Sequence, residues 1–320
     1  MTHATLPILL LIYNQLEAVG QDNPYLASMR RIPTPMRHQK TRCVDGWINV
    51  QENTPRPAVT LFVFHHAGGS SLAYRPLAAH VPRDFNVAFV DLPGRGHHTR
   101  ANPLTSMDEI VAELVPRVLS VADGPRAFFG HSMGAVTAHQ VAVATASADR
   151  PVWLGLSGTG PEGKAAAAPG SRPPGGTDAG RDREQLIDFL RRLGGTPEEV
   201  FEHEELLEYA LGLLRADLLA LESRRPVPPV RLDVPISVLG GRDDVAAPVE
   251  ALRGWEAHTE RPIRARHWPG GHFYLFDDPR GLAARMVEDI GDALAGRWER
   301  PDGQTGSGPT RTPMLKNVLL

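Results

Sequence analysis

What this chain has little of narrows the reading before any motif is considered. A single cysteine, Cys43, in 320 residues rules out an intrachain disulfide and fits a reducing cytoplasm, the compartment expected here. With no motif around it, Cys43 reads as filler. Charge of one sign is also missing: 34 Lys and Arg face 37 Asp and Glu, for a net charge of -3. No basic cluster is interleaved with aromatics, so nucleic acid is not an expected partner. The apolar run from Leu6 to Ile12 is too short to span a bilayer. It also lacks a basic stretch before it and a small-residue cleavage site after it, so neither a membrane partner nor a signal peptide is expected. His65 and His66 are neighbours at a strand end and so point in opposite directions, with no third ligand evident. No metal and no cofactor is therefore expected.

What is present is a 42% hydrophobic chain long enough for one large α/β domain. Trp47-Ile48-Asn49-Val50 reads as a first edge strand, and the apolar runs Ala58–Phe64, Asn86–Asp91, Val152–Ser157 and Val234–Gly240 read as buried strands. Helices are expected over Ser71–Val81, Met107–Val121, Val249–His258 and Gly281–Trp298, with a short strand at Ile263–His267. That alternation predicts a mostly parallel central sheet with helices on both faces. Residues 1–45, basic and proline-broken near Met29–Arg37, read as a poorly ordered extension; residues 46–298 form the domain, and residues 299–320 a flexible tail.

Between about residues 158 and 230 the rhythm breaks. Gly158–Arg181, rich in Gly, Pro and Ala, reads as a flexible surface loop. Leu186, Ile187, Phe189, Leu190 and Leu193 then fall at helical spacing, and Leu206 to Leu219 mark a second, longer helix. These helices either complete a core or act as a lid that walls an apolar acyl tunnel; one face can do each.

The chemistry concentrates at Phe128-Phe129-Gly130-His131-Ser132-Met133-Gly134, a strand that reverses sharply into the Ala/Val-rich helix after it. Glycines two residues either side of Ser132 suit a turn with no room for a Cβ, which would lift the serine hydroxyl into a cleft near the positive end of the helix. Ser132 is the candidate nucleophile. His65-His66-Ala67-Gly68-Gly69-Ser70 follows a buried strand, and its glycine pair lets backbone amides face a ligand; Ala67 and Met133 are the candidate oxyanion donors. The loop Leu92–His98 is expected to edge the cleft, with Arg95 structural. Gly241-Arg242-Asp243-Asp244 follows another parallel strand, where a carboxylate can orient a histidine. Asp244 is preferred over Asp243, being four residues before Pro248, which is expected to open the next helix; either aspartate would also serve as a helix cap. One helix and one strand later comes His272, in the glycine-bounded loop Pro269-Gly270-Gly271-His272-Phe273-Tyr274-Leu275. Ser, Asp, His is the chain order of an α/β hydrolase.

Those motifs, with Pro93-Gly94-Arg95-Gly96 and Leu193-Gly194-Gly195-Thr196, resemble the discrete type II thioesterases of polyketide and nonribosomal peptide pathways, over about Phe62 to Arg297. The resemblance implies a cytoplasmic α/β-hydrolase monomer that clears stalled or misprimed acyl groups from the phosphopantetheine arm of acyl or peptidyl carrier proteins. It implies Ser132, Asp244 and His272 as the catalytic triad and the Ala67 and Met133 amides as the oxyanion hole. Three departures stand out: His65 where the family has proline, His139-Gln140 where an aromatic-acidic pair is usual, and 45 leading residues without a counterpart, which suggest an upstream start codon.

Overall fold

A computed structural model of the chain describes residues 40–121, 123–147, 149–162, 182–224 and 229–298. The extension read for residues 1–45 lies outside the described residues up to residue 39, as do most of the 158–181 loop and the tail from residue 299.

Among the described residues eight strands make one sheet: β1 (Lys40–Val44), β2 (Ile48–Glu52), β3 (Val59–Phe64), β4 (Phe85–Val90), β5 (Arg126–His131), β6 (Trp153–Ser157), β7 (Ile236–Gly241) and β8 (Arg264–Trp268). Their order is β1-β2-β4-β3-β5-β6-β7-β8; β2 is antiparallel to both its neighbours and every pair from β4 to β8 is parallel. This is the α/β-hydrolase arrangement. Every residue of β3 to β7 is buried, because parallel strands are covered on both faces.

The helices are α1 (Arg75–Ala78), α2 (Met107–Val121), α3 (Met133–Thr145), α4 (Arg183–Leu193), α5 (Glu198–Glu202), α6 (Glu204–Glu222), α7 (Val249–Arg253) and α8 (Pro279–Leu294). Alternate residues of each strand feed two separate cores. Phe62, Phe64 and Phe128 pack with α2 and α3 on one face, while Val63, Phe129 and Trp153 pack with Tyr274 and α8 on the other. A third cluster, Leu186, Phe189, Leu207, Leu211, Leu214 and Leu218, belongs to α4 and α6 alone. The helices inserted between β6 and β7 therefore carry a core of their own, and Ala67 packs against it.

Several boundaries differ from expectation for identifiable reasons. Trp47–Val50 is not an edge: β1 lies outside it, so residues 40–44, read as extension, are part of the sheet. The joining turn is Asp45-Gly46, whose φ angles of 47° and 73° are those a tight hairpin requires. Ser71–Val81 is a 3-10 turn over Ser71–Tyr74 followed by α1, with Pro76 in the first turn of that short helix. Among the described residues three helices rather than two fill the insertion, since Pro197 opens α5. The last helix starts earlier than expected, at Pro279 behind the Asp278 cap, whose carboxylate accepts the Gly281 amide at 2.8 Å. It stops at Leu294, after which Trp298 folds back and donates to the Pro262 carbonyl at 2.8 Å.

Phe128 is fully buried on β5 and meets the Phe62 and Phe64 rings edge-on at 5.5 and 5.6 Å. Phe128→Ala should cost about 3–5 kcal/mol in a urea titration. Val245→Ala, at a side chain 73% exposed, should stay within about 0.5 kcal/mol of wild type.

Candidate active site

The turn from β5 to α3 is built by exclusion. A Cβ on Gly130 would collide with the Gly134 carbonyl, and one on Gly134 with the Phe64 and His65 carbonyls. Only glycine allows strand and helix to approach this closely. Ser132 between them takes φ 55° and ψ -121°, strained for a residue with a side chain, at a cost of about 1–3 kcal/mol. Its amide donates to the Ser157 carbonyl of β6 at 2.7 Å, which anchors the turn to the next strand.

Two other loops reach the same end of the sheet. His272 Nδ1 lies 2.8 Å from Asp244 Oδ2, both residues being buried. A carboxylate only accepts here, so Nδ1 carries the proton and Nε2 is left as an acceptor. Asp244 Oδ1 takes the Ala246 and Ala247 amides at 2.9 and 3.1 Å, which fixes the carboxylate from behind. Asp243 does something different. Its amide donates to the Gly270 carbonyl at 3.0 Å and its carboxylate accepts the Gly270 amide at 3.2 Å, clamping the aspartate loop to the histidine loop. Pro248 is the residue before α7 and not its first residue, one position from where it was expected.

His65 and His66 diverge. His65 Nδ1 meets the His66 carbonyl at 2.8 Å and Nε2 accepts the Leu92 amide at 3.4 Å. His66 Nδ1 pairs with the Tyr74 hydroxyl at 2.8 Å while its ring stands 4.8 Å from Phe273. Among the described residues no group of three or more His, Cys, Asp or Glu is gathered as metal ligands, and no helix is long and apolar enough to cross a membrane. Beyond His66, the Gly68 amide is held by Asp217 and the Gly69 amide by the His66 carbonyl. Among the described residues neither the Ala67 nor the Met133 amide is taken by a protein acceptor.

Ser132, His272, His66 and Ala67 line one cavity, whose far walls are apolar: Phe189 and Leu193 of α4, Val200 of α5, and Leu206, Leu214 and Leu218 of α6. The cavity thus joins the Ser132 hydroxyl, the His272 imidazole and unengaged amides to an apolar chamber. Such a site can add a serine oxygen to a carbonyl whose substituent is apolar.

Sequence reasoning missed two groups. Beside Ser132 and His272, His131 Nδ1 lies 2.9 Å from Ser157 Oγ, and Ser157 Oγ lies 2.7 Å from the Tyr274 hydroxyl. The chain links the Ser132 turn to the His272 loop, and the His131 and His272 rings are 4.8 Å apart. The second group is Arg95 with Asp217, a buried bidentate ion pair between the loop after β4 and α6. Asp217 had a readable signal: it lies four residues after Leu213 and three before Ala220, on a buried stripe of α6, where a lone carboxylate needs a partner. Arg95, read as structural, is that partner.

The Thioesterase domain family model matches residues 59–292. The thioesterase PikA5 of Streptomyces venezuelae is 32% identical over 271 residues, covering 82% of this chain and 91% of its own length. The probable cadicidin biosynthesis thioesterase of Streptomyces griseus is 33% identical over 234 residues; the match covers 72% of this chain and 62% of that relative's length. Among solved structures, the type II thioesterase BorB from the borrelidin biosynthetic cluster superposes with a TM-score of 0.66 at 34% identity, over 78% of this chain and all of BorB.

The buried histidines make stability acid-sensitive. Burial pushes His66 and His131 well below the ordinary histidine value and His139 down to about 3. In the unfolded chain all three take protons near pH 6.5, while the folded chain refuses them. Stability is therefore whole above pH 6.5 and is lost as pH falls below it, by up to about 1.4 kcal/mol per pH unit for each group. Urea midpoints should fall steadily from pH 6.5 to pH 5, and His139→Phe should reduce the slope.

Proposed function

The chain belongs to the thioesterase family, and from that footing we propose that it hydrolyses acyl groups from the phosphopantetheine arm of acyl or peptidyl carrier proteins, as an editing enzyme of polyketide or nonribosomal peptide synthesis. The observation that carries this reading is the shared cavity: Ser132 and an Asp244-oriented His272 open onto one apolar chamber walled by α4 to α6. The relatives named above, one from cadicidin biosynthesis and one from a borrelidin cluster, support the pathway class. Carrier-bound intermediates are handled in the cytoplasm, where an exposed lone thiol such as Cys43 stays reduced.

In the proposed cycle, His272 Nε2 takes the Ser132 proton as Oγ attacks the thioester carbon. Asp244 holds the Nδ1–H tautomer and balances the imidazolium charge. The tetrahedral oxyanion is received by the Ala67 and Met133 amides, each contributing roughly 3 kcal/mol of barrier lowering. Expulsion of the thiol, protonated by His272, leaves an acyl ester on Ser132. Water, deprotonated by the same nitrogen, then releases the acid and returns the proton to Ser132. The inserted helices act as the lid: their leucines keep the acyl chain and the reacting carbon out of bulk water.

Intact-mass monitoring of a panel of acylated carrier proteins tests the reading. Wild type should release the acyl group, and Ser132→Ala should be slower by roughly 10⁴-fold or more. Equal release by both would remove the proposal, and turnover of simple oxyesters with carrier thioesters untouched would favour a small-ester hydrolase. Asp244→Asn should cost about 10⁴-fold in kcat, and Asp243→Asn much less, since it only braces the loop.

A further inference from the structure

One buried ion pair outside the reacting groups touches the loop that carries Ala67. Arg95 Nη1 and Nη2 donate to Asp217 Oδ2 and Oδ1 at 2.6 and 2.8 Å, with side chains 1% and 0% exposed. The same Asp217 Oδ2 accepts the Gly68 amide at 2.7 Å, and the same Arg95 Nη1 donates to the Gly69 carbonyl at 3.1 Å. The pair therefore grips the two glycines immediately after Ala67, one by its N–H and the other by its C=O.

Stability alone does not account for this arrangement. Two charges taken out of water lose hydration that their mutual attraction only about recovers, and well-packed apolar residues of similar size usually do as well or better. What apolar residues cannot do is hold a peptide amide and a carbonyl in fixed directions. Gly68 sits at φ +72°, and two successive glycines form the stretch of this loop with the least conformational preference of its own. Asp217 lies on α6, whose Leu214 and Leu218 line the cavity beside Ser132, and Tyr209 of the same helix donates to the Gly94 carbonyl beside Arg95.

We infer that Arg95 and Asp217 are positioning residues for thioester hydrolysis: they lock the Gly68-Gly69 turn so that the Ala67 amide faces the cavity, and they make that direction depend on the seating of α6. This rests on the reading of Ala67 as an oxyanion donor given above. Neither residue touches the substrate. An acyl chain that fits badly against α6 would thus be penalised in kcat, through the loop, as well as in binding.

The test compares wild type, Ser132→Ala, Asp217→Asn and the double variant Arg95→Met/Asp217→Leu on a short acyl-pantetheine thioester, with Tm measured in parallel. The double variant replaces the pair by apolar side chains and should keep a Tm near wild type. Its kcat should nevertheless fall about 10²–10³-fold with KM little changed, the signature of an interaction made only in the transition state. Inhibition by a trifluoromethyl ketone analogue, whose hemiketal oxygen needs the same amides, should weaken by a similar factor. A folded double variant with wild-type kcat overturns the inference. Should that variant fail to fold, the nearly isosteric Asp217→Asn decides: a lower kcat at unchanged KM supports positioning, and wild-type kcat overturns it. If wild type and Ser132→Ala hydrolyse the thioester alike, the site assignment fails and the inference falls with it; if only the variants of the pair match wild type, positioning alone is wrong.

Discussion

The close approach of α3 to the ends of β5 and β3, which leaves no space for a methyl group at Gly130 or Gly134, is the constraint on which the site depends. It forces Ser132 into a backbone conformation that a residue with a side chain avoids, and the surrounding packing sustains the cost. Gly134 lies against the end of β3, and the Ser132 amide is tied to the end of β6, so the turn is braced by both strands that flank β5. The loops that carry Ala67 and His272 leave the same end of the sheet because β3 and β8 run parallel to β5. Parallel order thus does what no local motif can: it gathers residues from remote segments along one rim.

The polar groups buried around this rim fall into two kinds. His66 and His131 are kept neutral by burial and spend their hydrogen bonds on Tyr74 and Ser157. The buried charges include two ionic groupings, Arg95 with Asp217, and Asp289 with Arg264, Arg266 and Ser237 on the far side of the sheet, while the Asp91 carboxylate is held by the neutral donors of Ser71 and Asn49. The second network joins β7, β8 and α8 and holds the strands that present the Asp244 and His272 loops. The first joins the proposed oxyanion loop to the inserted helices. Neutral histidines near Ser132 and paired ions further out avoid adding an unbalanced charge beside the proposed oxyanion hole.

Much of this was legible in the sequence, where local rules apply. The glycine spacing around Ser132, the apolar runs of β3 to β7 and the bounds of α2 follow from steric and periodic rules that act within a few residues. The choice of Asp244 against Asp243 turned on helix register, and the two carboxylates in fact face different partners. What escaped was of two sorts. The Asp45-Gly46 hairpin was overlooked because β1 is mostly exposed and has little apolar pattern, although the turn dipeptide itself was a signal. The Arg95–Asp217 pair spans 122 residues, and such contacts leave no spacing rule in the chain. On α6 the leucine periodicity reads either as core or as tunnel wall, and neither reading takes in the one carboxylate on its buried face.

The most direct measurement is a crystal structure of the adduct formed with an alkyl fluorophosphonate. If the strained turn, the Ala67 loop and the His272 loop form one site, the phosphorus will be bonded to Ser132 Oγ, with its free oxygen about 2.7–3.1 Å from the Ala67 and Met133 amides. The alkyl chain will then run between α4 and α6. A phosphoryl oxygen pointing to solvent, or phosphorus on any other residue, would contradict the whole assignment.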